Sequence, residues 1–342
     1  MTVKPKRSLA LLLVPALLAP AAPAAAHGRP APACPASYSD ALDKVGGIGG
    51  LSDLAWDGRS HAWASTVDNH GTDPARIWFF RDPAHPVIVG DPLVLRRPDG
   101  TVYDGTTSDN EGLAVLPGGD FLISSEVEPS IRIYGRDGVQ KSQLSVPSRF
   151  AVAPAGEATA NATLEGLTLA DHGRRIIAAM EGALSGDSDP AVHRFLIYDR
   201  TRHGGFALTR QVIYRTGPGQ RISEVASYDR DSLVVMEASF NPATGNTIQL
   251  YAVKNVTRGR DVSAVADAGP LPSLRKSLVA DLVPCPSLGA IAKQPQANPL
   301  LDNFEGMAIV PGCRSDTIHL ISDDNFNPAQ ITRVLTIPAR LP

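Results

Sequence analysis

The sequence predicts an all-β fold, a β-propeller of five and at most six four-stranded blades. Three observations predict it. A pattern repeats five times along the chain, the runs inside each repeat are short and rich in β-branched and aromatic residues, and an acid recurs at one place in every repeat. The 30 glycines and 29 prolines fall largely between these runs, as a turn-rich β protein requires.

The first run of each repeat is the clearest: 51–56 (LSDLAW), 110–115 (NEGLAV), 164–169 (LEGLTL), 223–228 (SEVASY) and 304–309 (FEGMAI). Its acids, Asp53, Glu111, Glu165, Glu224 and Glu305, are spaced by 58, 54, 59 and 81 residues. A turn follows, then a second run ending in another acid: 62–68, 121–126, 176–181, 233–237 and 318–323. Third runs lie at 76–80, 131–134, 194–198, 248–251 and 331–335, and weaker fourth runs at 87–95, 143–146, 206–214 and 278–283. The wide last interval is either a loop insertion or a degenerate sixth blade. A β-sandwich is the competing fold, but it leaves a signature recurring once per four strands unexplained.

In a propeller blade the first strand lines the central channel and the second runs antiparallel to it. An acid opening strand one and an acid closing strand two therefore reach the same rim. Up to ten carboxylates around one channel mouth repel one another. Relief comes from partial protonation, from arginines such as Arg76, Arg132 and Arg194, which open third strands, or from a hard divalent cation. Calcium suits such an oxygen-rich set; a zinc site lacks the paired cysteines or histidines it would use. A purely structural role, capping turns or pairing with arginine, is also open to these acids. The segment 322–328 (SDDNFNP) concentrates further oxygen ligands near Glu305, and Asp302-Asn303 and Asp109-Asn110 stand just before Glu305 and Glu111. Turn chemistry alone would explain these residues; their place beside other acids points to a ligand site.

The ends of the chain indicate export. Lys4, Lys6 and Arg7 precede an apolar run at 9–18, and Ala24, Ala25 and Ala26 follow, which reads as a bacterial signal peptide over 1–26. The run is shorter than the ~20 residues that span a bilayer, and no membrane span is expected. Residues 27–49 read as a flexible N-terminal segment and 50–342 as the propeller domain. A net charge of -3 argues against nucleic acid as a partner. Of three cysteines, Cys285 and Cys313 are the favoured disulfide because they flank one loop-like stretch, although a pair containing Cys34 stays open. No Gly-x-Ser-x-Gly elbow occurs, and Arg202-His203-Gly204 lacks the residues that would make His203 a nucleophile.

The motifs at 110–113, 164–167, 302–307 and 322–328 resemble those of a phytase-like bacterial family called "esterase-like activity of phytase", over about 50 to 335. The resemblance implies an exported propeller linked to hydrolysis of phosphate or carboxyl esters. Repeats one and four depart from it, with Ser-Asp-Leu and Ser-Glu-Val in place of Glu-Gly-Leu, so Asp53 and Glu224 are weaker site candidates. The resulting expectation is a secreted monomer holding Ca2+ through Glu111, Glu165, Glu305, Asp323 and Asp324. Glu165 would be catalytic, and Arg132 or Arg194 would offset charge on a small anionic or ester substrate. The alternatives are a non-catalytic binding propeller with a structural metal and ion pairs, and a calcium-dependent lactonase.

Overall fold

Each repeat becomes one antiparallel sheet in the computed structural model of the chain, which describes residues 1, 2 and 32–342. The expected signal peptide and its cleavage point lie outside the described residues. The described chain forms its first strand at β1 (Ser37–Ser39) and then builds five blades. The first is β2 (Leu51–Asp57), β3 (Ala62–Val67) and β4 (Arg76–Arg81), with the fourth strand split into β5 (Val87–Ile88) and β6 (Leu93–Val94), both paired to β4. The second is β7 (Asn110–Val115), β8 (Phe121–Ser125), β9 (Ser130–Tyr134) and β10 (Gln140–Leu144). The third is β11 (Leu164–Ala170), β12 (Arg175–Met180), β13 (Val192–Arg200) and β14 (Phe206–Arg215). The fourth is β15 (Arg221–Asp229), β16 (Ser232–Asn241), β17 (Gly245–Lys254) and β18 (Lys276–Asp281). The fifth is β19 (Asn303–Val310), β20 (Asp316–Asp323) and β21 (Val334–Ala339), completed by β1. The inner strands β2, β7, β11, β15 and β19 contact one another in that cyclic order, so the five sheets form a ring. Among the described residues there is no sixth blade. The extra length in the interval before Glu305 lies in the two long loops on either side of β18.

Ring closure corrects the reading of the N-terminal segment. Residues 37–39 pair with β21, Ser37 opposite Thr336 and Ser39 opposite Val334, so part of the supposed tether is the outermost strand of the last blade. Four residues earlier, Ala33 bridges Ala280 of the fourth blade. That docking sets the disulfide: Cys34 is bonded to Cys285, and Cys313 is free and exposed. Cys313 follows β19 in an exposed turn, whereas Cys285 packs in the core where the N-terminal segment arrives. One staple thus links fourth-blade loop to N-terminal segment, and β1 links that segment to the fifth blade. No helix among the described residues is long and apolar enough to cross a membrane.

The third strand of the last blade begins at Val334, later than the expected 331. The amide of Ile331 is instead taken by the Asp302 carboxylate (3.1 Å), and Ser322 Oγ holds the backbone of Ile331 and Arg333. Between blades the faces bury apolar side chains. Ile177, Phe195, Val225 and Val235 form one such layer between the third and fourth, all at most 1 % exposed.

A bulge recurs where each inner strand carries its acid. The register with the second strand slips between Ser52 and Ala55, Asn110 and Leu113, Leu164 and Leu167, Ile222 and Glu224, and Phe304 and Gly306. A bulge turns a side chain away from the pleat, and here it aims one polar residue per blade into the channel. The glycine after Glu111, Glu165 and Glu305 is required by close approach. A Cβ on Gly112 would sit 2.3 Å from Leu167 Cβ, one on Gly166 2.8 Å from the Val225 amide, and one on Gly306 2.7 Å from the Asp53 backbone. Neighbouring inner strands therefore touch backbone to backbone at the acid level.

Candidate metal centre and active site

Strand starts and strand ends do meet at one rim, and the bulges sort the acids there into two levels. Aligning the inner strands on their bulges places Ser223 in the slot held elsewhere by Asp53, Glu111, Glu165 and Glu305. Glu224 then falls in the glycine slot, one step deeper, and Asp53 reaches the same level, its backbone beside Gly306. Asp53 accepts the Leu54 and Leu113 amides, and Glu224 accepts those of Val225 (2.6 Å) and Leu167 (3.0 Å). These two carboxyls lie close enough across the channel to shift each other's pKa. Burial pushes Asp53 up to about 7 and Glu224 well above the ordinary carboxylate value. Together they strap four inner strands, a structural use that accounts for their departure from the Glu-Gly pattern.

Above them lies a ring of eight carboxyls: Asp68, Asp109, Glu111, Glu126, Glu165, Glu181, Glu305 and Asp323. Oxygens of Asp68, Asp109 and Glu111 lie within 4.8 Å of one another, as do those of Glu111, Glu126 and Glu165, so Glu111 belongs to both triads. Several of these acids have raised pKa values, and burial is the main cause of each. Asp68 rises to about 9 and Glu126 to about 8, while Glu111, Glu165 and Asp323 go well above their ordinary values, with neighbouring acids adding to each shift. Three oxygens of the ring, Asp68 Oδ1, Asp109 Oδ1 and Asp323 Oδ2, are buried with no hydrogen-bond partner. Buried acceptors of this kind are costly without a donor or a cation.

The structure brings together Glu111, Glu165, Glu305 and Asp323 of the expected ligand set. Asp324 is occupied otherwise: its Oδ1 accepts the Gly50 amide (2.9 Å) and the Phe326 amide (3.1 Å), tying the SDDNFNP turn to the first blade. Glu237, expected at the rim, is withdrawn into bonds with Lys276, Tyr214 and the Gly217 amide. Arg194 does not reach the ring. It is fully buried, forked onto Asp187 (2.7 and 2.8 Å), with its other donors on Gln211, Val262 and Val265. Arg132 is also buried, bonded to Ser108 (3.0 Å) and Glu128 (3.4 Å) over the Tyr103 ring. Their positions at the start of third strands put them one layer out from the channel.

The basic residue that does enter the ring, Arg221, was not among the arginines singled out from sequence. Its guanidinium donates to Glu165 (3.0 Å), Glu181 (2.9 Å), Glu305 (2.9 Å) and Asn303 (2.9 Å), joining three blades. Among the described residues it is the one basic side chain in ion-pair contact with these acids. Burial works against its charge, and Glu305, Glu181 and Glu165 more than offset this, so its pKa is raised. The signal was present in the bulge alignment, which sets Arg221 in the slot of Asp109 and Asn303. Removing it as Arg221→Met leaves three largely buried acids without a counter-charge. In chelator at pH 8 this is expected to cost about 3 kcal/mol or more, read as a lowered Tm, and calcium should narrow the gap.

A cavity of about 550 Å3 opens at the other end of the channel. Leu54, Trp56, Leu113, Leu167, Val225 and Met307 contribute to its wall, and among the described residues Asp53 is its single ionisable lining residue. This cavity is therefore separate from the acid ring.

Among solved structures the chain is similar to streptogramin B lyase (TM-score 0.38, 11% identity, 85% of this chain and 66% of that one). It is also similar to a gluconolactonase from Xanthomonas campestris (TM-score 0.39, 12% identity, 88% and 89%). A third likeness is to an α-L-arabinofuranosidase from Podospora anserina in complex with cellotriose (TM-score 0.45, 10% identity, 91% and 96%). The chain spans just under two thirds of the first of these, and at such TM-scores none of the three bears on its chemistry. Among curated proteins no sequence match is found. The family comparison covers most of the chain: the phytase-like model described as esterase-like activity of phytase matches residues 46–326, including all five inner-strand acids and Arg221, and the chain belongs to that family.

Proposed function

We propose that the protein is a secreted, cation-dependent hydrolase of phosphate or carboxyl esters, with calcium as the cation. The observation that carries this reading is the imbalance of the ring, eight carboxyls facing one guanidinium with three buried oxygens unpartnered. The donor set fits a hard cation, being carboxylates without thiol or imidazole. Asp68, Asp109 and Glu111 would hold it on one side, and Glu111, Glu126 and Glu165 on the other. When bound, such a cation supplies Lewis-acid polarisation of an ester oxygen and a lowered pKa for a water.

The chain's own residues do the rest. Arg221 fixes Glu165, Glu181 and Glu305, leaving Asp68, Asp109 and Asp323 as the less constrained side of the ring. Glu165 is positioned by Arg221 and belongs to one triad, so it is the carboxylate assigned to take a proton from an attacking water. The same Arg221 bridge favours a second reading, a non-catalytic propeller in which cation and ion pairs merely close the ring. The two separate in one assay: purified mature protein with phytate, p-nitrophenyl phosphate, p-nitrophenyl acetate and a simple lactone, each with calcium and with chelator. Turnover that chelator stops is expected. A calcium-stabilised protein that cleaves none of the four would leave the second reading standing.

A further inference from the structure

Beside the ring, the SDDNFNP turn holds an aromatic ring open to solvent. Asn325 and Phe326 both adopt the left-handed backbone region (φ 49° and 50°), which side-chain-bearing residues enter only when held there. What holds them is local. Asp323 Oδ1 accepts the Asn325 amide (2.6 Å), and Asp324 Oδ1 bonds Phe326 and Gly50 together. The Phe326 ring lies on Gly49 and Gly50, where any Cβ would collide with it: the nearest ring carbons are 2.8 Å and 2.6 Å away. The same Cβ on Gly50 would lie 2.5 Å from the Asp68 carbonyl oxygen, so Phe326 sits beside the backbone of the residue that carries a ring acid. His70 packs edge-on against Phe326 with centroids 5.6 Å apart, and Arg76 stands over its face at 5.9 Å. Despite this packing Phe326 remains 39% exposed.

Arg76 is a cation short of partners. Its one side-chain hydrogen bond goes to the nearby Pro74 carbonyl (2.9 Å), and among the described residues it makes no ion pair with any carboxylate. Burial lowers its pKa below the ordinary arginine value, with Asp73 opposing at longer range. A partly desolvated guanidinium beside an exposed aromatic face is suited to an oxyanion attached to a flat apolar body.

We propose that Arg76, Phe326 and His70 form the substrate-recognition platform of the acid ring. Arg76 takes an oxyanion of a phosphate or carboxylate group, and Phe326 takes the apolar body joined to it. The assignment rests on the hydrolytic reading for its place in turnover, but binding tests it separately. The experiment is calorimetric titration of calcium-loaded full-length mature protein with phenylphosphonate, a non-cleavable aryl oxyanion, and with methylphosphonate. Arg76→Gln is expected to weaken both ligands at least tenfold while leaving calcium binding unchanged. Phe326→Ala is expected to weaken phenylphosphonate selectively, and Phe326→Tyr to keep it. Equal binding by wild type and Arg76→Gln, or no binding of either phosphonate by wild type, would overturn the platform. Wild-type binding lost in Arg76→Gln, in a protein that cleaves no ester, would sustain the platform and sink the hydrolase.

Discussion

Replacing Glu111 by glutamine is expected to abolish ester cleavage and to weaken calcium binding by about two orders of magnitude or more, without unfolding the protein. Glu111 is the carboxylate common to both triads, so one substitution takes a ligand from each. In the same variant, stability without metal should move the opposite way. Glu111 is buried, and Glu165, Asp68, Glu126 and Asp109 all press its pKa upward. A neutral amide relieves that repulsion and retains an oxygen for the Ser52 hydroxyl, which now donates to Glu111 at 3.1 Å. A Tm in chelator at pH 8 equal to or above wild type, together with lost turnover, is the expected signature. A Tm lowered by ~10 °C would instead mark Glu111 as a structural strut.

The second large effect is on pH dependence. In chelator the protein should lose thermal stability as pH rises from about 5 to about 9, by on the order of 10 °C. Burial raises Asp68 to about 9, Glu126 to about 8 and Asp53 to about 7, so the folded chain keeps these protons over a range where the unfolded chain, near the ordinary carboxylate values, has released them. The folded state then binds more protons than the unfolded state, and stability must fall with rising pH. The contribution is fully present below about pH 4 and is lost progressively up to the folded-state values. Calcium reverses the slope, because it competes with protons for the same oxygens and is held best when they are ionised. Melting curves at pH 5, 7 and 9, with and without calcium, test this. A metal-free Tm that rises between pH 5 and 9 would contradict it.

Much of this was legible in the sequence because the repeat is chemical as well as apolar. An acid opening one run and another closing the next can meet only if the runs pair antiparallel. That single constraint gave the blade, the rim and the meeting there of Glu111, Glu165, Glu305 and Asp323. What escaped was set by position within the strand. A bulge shifts register by one residue, so Ser-Glu-Val and Glu-Gly-Leu look like variants of one motif while their acids occupy different levels of the channel. Glu237 aligns with the rim acids, yet Lys276, thirty-nine residues later on the outermost strand of the same blade, draws it away. Arg221 carries no motif of its own, and only the bulge alignment shows it facing acids from the two neighbouring blades. Cys34 was separated from Cys285 by 251 residues, and nothing local announces that the N-terminal segment returns to close the ring.

The most direct test of the central claim is a calcium count: equilibrium dialysis of the mature protein at pH 8 against micromolar to millimolar calcium, beside Glu111→Gln. The acid ring predicts at least one calcium per chain in the wild type, lost or greatly weakened in the variant. Wild-type protein that binds no calcium, or a Glu111→Gln variant that binds it undiminished, would show that the eight carboxyls are not a cation site.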